Sequence, residues 1–223
     1  MKLSKISLIL FTVVLFNKVT AQHESTYTKG NLSISFINED PDLKTGTEDK
    51  FINTVFKVYP KLLKKFNSSA LKDITIKIDT AYTGVAYCSG GSITVSAAWL
   101  KKKPTDIDLI THEVMHIIQA YPNEGGPVWL SEGVADYVRY KFGVDNEEAG
   151  WSLPDFNASQ HYTNSYRVTA RFLVWVSDHY NKKLVYILDD QMRTKTYTEN
   201  SWNDLTGKSV DELWQEYSSN PKI

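Results

Sequence analysis

Cysteine is almost absent: Cys88 is the only one among 223 residues. A lone thiol closes no internal disulfide, so a cystine-stapled scaffold is excluded and the apolar core must hold the fold. Cys88 itself reads as a small buried hydrophobe. Long apolar runs are also missing. The longest, Ile6–Phe16, has eleven residues, well short of the ~20 that cross a bilayer as a helix. There is no excess of positive charge, with 25 Lys and Arg against 26 Asp and Glu. That balance argues against nucleic acid or an anionic membrane surface as the main partner. Glycine and proline are sparse, at 11 and 7, and no internal repeat or low-complexity tract is visible. Fibrous and disordered classes drop out. What remains is a chain 42% hydrophobic with six Trp, thirteen Tyr and nine Phe, enough to build a real core.

The beginning of the chain has a separate logic. Lys2 and Lys5 precede the apolar run, and "VTA" follows it, with small or branched residues before a cut after Ala21. This is the form of a secretory signal peptide, so residues 1–21 are expected to be removed and 22–223 to form a single domain, secreted or periplasmic. No cysteine follows the run, so lipid attachment is not indicated. Loss of Lys2, Lys5 and Lys18 leaves 22 basic against 26 acidic residues, a formal charge of −4. No stable membrane insertion is expected after cleavage, and a monomer is the default.

The patterning predicts an α+β fold. Asn31–Ile37 alternates as a half-buried strand does, and Thr47–Phe66 carries apolar residues at threes and fours, with Pro60 expected to kink or split the helix. Asp73–Ile78, Gly84–Cys88 and Ser92–Leu100 read as strands, the last two joined by a tight "SGG" connection. From Thr105 the pattern is helical. Helices are predicted over Asp106–Ala120, capped by Thr105 with Asp108, and over Val128–Phe142, Ser165–Tyr180, Lys183–Met192 and Ser209–Ser219. A small mixed sheet with helices is followed by a mainly helical part.

The chemistry concentrates in "THEVMH". Residues four apart on a helix lie about 40° apart around the axis and about 6 Å along it, so His112 and His116 project from one face. Two imidazoles so arranged can grip one Zn²⁺. Glu113 lies beside the same point without being a ligand, where it can take a proton from water. The flanking Ile107, Ile110, Val114, Ile117 and Ile118 make the helix half-buried, and unpaired buried imidazoles would be costly. A catalytic zinc wants a third protein ligand. The sixth position after His116 is Pro122, so the third ligand comes from elsewhere. In "WLSEGVADYVR", Glu132 and Asp136 share a face; an antiparallel helix would bring Glu132 to the metal and let Asp136 accept the Nδ1–H of a ligating histidine. Glu124, in the connecting turn, is the alternative ligand.

"HEVMH" followed by "WLSEGVADYVRYKFG" and later "SYRVTARFLVW" resembles the basic secretory protein family of plants and bacteria, zincin-like metallopeptidases of the gluzincin type. The similarity runs over roughly Ser92 to Tyr217. It implies His112 and His116 as zinc ligands, Glu113 as the catalytic glutamate, Glu132 as third ligand and Asp136 as support for a histidine. Two departures stand out: the chain is acidic rather than basic, and the connection from His116 to Glu132 is shorter than in thermolysin-like members. The resemblance also implies an upstream edge strand along which an extended peptide lies, for which "GGSITVSAAW" is the candidate. An oxyanion helper would complete the site, with Tyr166 preferred over Arg167, His161 and His179. The expected function is a secreted zinc peptidase acting on peptide or protein substrates. The alternative is a binding or adhesion module with a structural or vestigial zinc, for which Glu113 would have no use.

Overall fold

The computed structural model describes residues 23–223; the expected signal peptide at 1–21 lies outside them. Among the described residues, five strands form one mixed sheet in the order β1-β2-β3-β5-β4. Strand β1 (His23–Lys29) and β2 (Leu32–Asn38) form an antiparallel hairpin, turned at Gly30 in the left-handed region. Helix α1 (Thr47–Lys65) then crosses to β3 (Asp73–Asp79), parallel to β2. β5 (Ser92–Ser96) is parallel to β3, and β4 (Ala86–Ser89) lies antiparallel outside it.

Register explains why one face is buried. Ile34 pairs with Ile74, Phe36 with Ile76, Ile76 with Ile93 and Ile78 with Val95, so alternate residues of three strands form one apolar layer. Helix α1 covers it with Phe51, Val55, Val58 and Leu62. Each such side chain contributes roughly 1.5–3 kcal/mol by leaving water. The opposite face is largely polar, with Lys77 bridging Glu39 and Asp79.

The strand-rich start and helical remainder agree with expectation, with five local corrections. The polar start contains β1, whose "HESTYTK" lacks the apolar alternation that marks a half-buried strand because it is an outer edge. Helix α1 is not split at Pro60; the ring points to solvent. The stretch predicted as one strand to Leu100 ends at Ser96. The Ser96 side chain accepts from Trp99 N and starts α2 (Ala97–Lys102). Helix α3 (Leu109–Gln119), which carries His112 and His116, starts later than expected, without the Thr105 capping box. Asp108 instead accepts from Thr111 Oγ1 and from the backbone N–H groups of Val144 and Asp145, tying α3 to the chain after the next helix. The "TENSWND" stretch also forms a short helix, α7 (Ser201–Thr206).

The remaining helices are α4 (Val128–Phe142), α5 (Tyr166–His179), α6 (Leu184–Thr194) and α8 (Val210–Ser219). Ala120, in the left-handed region, ends α3, and a turn through Gly125 and Gly126 leads into α4. Both glycines press against Met192 at the end of α6: a Cβ on Gly125 would lie 2.5 Å from the Met192 carbonyl oxygen. At Gly133 a Cβ would lie 2.2 Å from Thr169 Cγ2, so α4 and α5 approach closely at the residue after Glu132.

Candidate metal centre

Helices α3 and α4 bring Glu132 to two histidines that lie twenty and sixteen residues before it in the chain. His112 Nε2 lies 3.1 Å from His116 Nε2 and 3.2 Å from Glu132 Oε2, and His116 Nε2 lies 3.6 Å from the same carboxylate oxygen. Among the described residues this is the one such group of potential metal ligands. Ligand atoms held tetrahedrally at about 2.0–2.2 Å from Zn²⁺ stand roughly 3.3–3.6 Å apart, and the edges of 3.1, 3.2 and 3.6 Å come within about 0.2 Å of that range.

The outer atoms of the rings fix their tautomers. His112 Nδ1 is 2.7 Å from Asp136 Oδ1. His116 Nδ1 is 2.7 Å from Gln119 Oε1, whose amide nitrogen donates to the Ser131 carbonyl. Both outer partners are acceptors, so both Nδ1 atoms carry protons and both Nε2 lone pairs face inward with Glu132. Three electron-rich atoms converging on one point need a shared cation. Burial draws the His112 proton affinity down, but Asp136 and Glu132 outweigh it and hold the imidazole well above its usual range. Burial pushes Glu132 up, and the two histidines overcome that and hold its carboxyl at about 2. The pocket therefore attracts positive charge, as a proton or a metal.

Glu113 is 6% exposed, and its Oε2 has no hydrogen-bond partner among the described residues. Burial raises its pKa, against the pull of His112 and His116. A carboxylate oxygen left free beside the three converging ligand atoms is available to accept a proton.

Around this point opens a cleft of about 1140 Å³ that includes Tyr82, Tyr87, Cys88, Trp99, Tyr166 and Arg167 in its walls. Of the residues considered from sequence, His112, His116, Glu132 and Asp136 converge, and Glu113 stands next to them. Glu124 is exposed at the rim, outside the ligand triangle. Tyr166 and Arg167 line the cleft; His161 caps a single 3-10 turn at Tyr162–Asn164, and His179 stacks on Trp175. The Tyr166 ring lies 6.1 Å from that of His112 and nearly parallel to it, carried on a left-handed backbone that begins at Ser165. Gln119 was not singled out from the sequence, although its spacing of three from His116 puts it on the same helical face. The proposed substrate edge needs correction: β5 is paired on both sides, and the outer strand beside the cleft is β4. A strand's outermost position depends on sheet order, which local sequence does not encode.

The family model for peptidases of plants and bacteria matches residues 19–217. The chain belongs to this family. No curated protein matches it. Among solved structures it is similar to an aminopeptidase N family protein from Idiomarina loihiensis, with a TM-score of 0.54 and 11% identity over 89% of this chain and 46% of that one. It is also similar to an M1 zinc metallopeptidase from Deinococcus radiodurans, with a TM-score of 0.52 and 11% identity over 91% and 52% of the two chains. At such identity the likeness establishes a shared fold, and this peptidase-family chain spans about half the length of those proteins.

Proposed function

We propose that this family member is a secreted zinc-dependent peptidase that hydrolyses peptide bonds. The observation that carries the proposal is the inward convergence of His112 Nε2, His116 Nε2 and Glu132 Oε2, with the unpartnered Glu113 carboxylate beside it. His112, His116 and Glu132 would hold the ion, while Asp136 and Gln119 keep the two imidazoles in the ligating tautomer. Zinc bound there supplies Lewis acidity toward a substrate carbonyl and acidifies water. Glu113 accepts a proton from the attacking water and returns it to the leaving amine, helped by the burial that keeps its proton affinity raised. Tyr166, over the face of His112, is the candidate donor to the developing oxyanion.

The free edge of β4 can add an extended peptide as a further strand. The leader pattern before Ala21 supports export, and no helix among the described residues is long and apolar enough to cross a membrane. The test is turnover of a peptide library by the zinc-loaded protein, alongside Glu113→Gln. Hydrolysis that disappears in the variant while one zinc per chain stays bound is the expected result. Undiminished activity in the variant would overturn the role of Glu113, and absence of bound zinc would overturn the metal centre.

A further inference from the structure

The cleft is electrostatically lopsided. At the end of α3 that precedes His112, a chain of contacts joins six cleft-lining residues. Lys103 O accepts from Asp106 N, and Asp106 is held by Trp99 Nε1 at 2.9 Å and by Arg139 Nη2 at 2.5 Å. The Arg139 guanidinium stacks 4.4 Å above the Trp151 ring. Arg167 reaches back to the neighbouring Ser152 carbonyl at 3.3 Å. Lys103, Trp99, Trp151 and Arg167 all line the cleft.

Charge at this end does not cancel. Asp106 neutralises Arg139, but neither Lys103 nor Arg167 forms an ion pair among the described residues, and both are exposed. Glu148 pairs with Lys50. At the opposite end, past His116, the exposed Glu124 sits in the turn before α4. Two cations and two indoles thus line the cleft toward the start of α3, and a carboxylate stands past its other end, none of the three charged groups being in an ion pair among the described residues.

Building on the peptidase function above, we infer that the Lys103–Arg167 end of the cleft selects peptides carrying a carboxylate there. The carboxylate is either an acidic side chain, whose aliphatic stem lies against Trp99 and Trp151, or the free C-terminus. A carboxylate in a cleft lined by two unpaired cations gains Coulomb energy that a neutral group does not, and apolar cleft walls reduce screening.

The experiment is calorimetric binding to the zinc-loaded Glu113→Gln protein, which reads recognition without requiring turnover. Three N-blocked peptides of equal length are compared: a neutral amidated one, the same with one internal Glu, and the neutral one with a free C-terminus. One carboxylate peptide is expected to bind about tenfold more tightly than the neutral one, the size of two partly screened ion pairs. Which of the two gains affinity identifies the source of the carboxylate. In the Lys103→Glu/Arg167→Glu background the preference should vanish or invert, with zinc content and thermal unfolding unchanged. Equal binding of all three peptides, or a preference that survives charge reversal, overturns the inference. Failure of the peptidase function would instead be seen as a wild-type, zinc-loaded protein that cleaves none of them, whatever their order of binding.

Discussion

At the scale of single residues, the site depends on which atoms face inward. Glu113 is buried with one oxygen unpaired, so Glu113→Gln keeps the shape and removes the proton acceptor. Turnover should fall by about 10²–10⁴, with zinc content by atomic absorption unchanged. Asp136 fixes the tautomer of His112. Asp136→Ala should weaken zinc binding about 10–100-fold, measured by competition with a chromophoric chelator. A proton and a metal compete for the same inward point. Because Asp136 and Glu132 raise the proton affinity of His112, zinc must displace a proton near neutrality, and apparent affinity should rise with pH. Chelator competition at pH 6 and 8 checks the direction; a flat or falling profile would contradict the raised proton affinity of His112. These residues were legible because a helix maps a spacing of four onto one face. Gln119 follows the same rule, yet its identity as an amide made it look ordinary. Whether it met a histidine or solvent depended on its rotamer and on Ser131.

At the scale of elements, the geometry rests on how closely α4 approaches its neighbours. Gly133 follows Glu132 and has no room for a Cβ, because Thr169 Cγ2 of α5 occupies that space. Gly133→Ala should cost on the order of 1–3 kcal/mol in urea unfolding, as overpacking in a fixed interior does. It should also weaken zinc binding, since α4 carries Glu132. Thr169→Ser removes the offending methyl and should recover part of both losses, a coupling read by a double-mutant cycle. A glycine in "SEGVAD" looks unfavourable for a helix, and only the packing of α5 supplies the reason. The elements themselves were mostly visible in sequence: α4 spans the residues its periodicity predicts. The errors fell where packing overrides pattern. β1 is a polar edge strand, α2 begins in what reads as a continuing strand, and Asp108 is drawn from a capping role into a tertiary tie.

At the scale of the whole molecule, one sheet supports α1 and α3, and α3 and α4 together create a centre that neither holds alone. Metal binding to the native state alone must therefore stabilise the fold. Zinc at about a hundred times its dissociation constant adds roughly 2.7 kcal/mol. That corresponds to a rise in melting temperature of about 5–10 °C for a domain of this size. Differential scanning calorimetry with and without a chelator checks it, and an unchanged melting temperature would mean that the native state binds no zinc. The sequence by itself determined the residue classes, the helix that carries His112, Glu113 and His116, and the candidacy of Glu132 and Asp136, because helical periodicity is a local property of the backbone. Only the tertiary structure decided that Glu132 rather than Glu124 meets the histidines, that β4 rather than β5 is the open edge, and that Lys103 and Arg167 line one cleft. Those are distances between segments far apart along the chain, fixed by burial of a common core rather than by any local pattern.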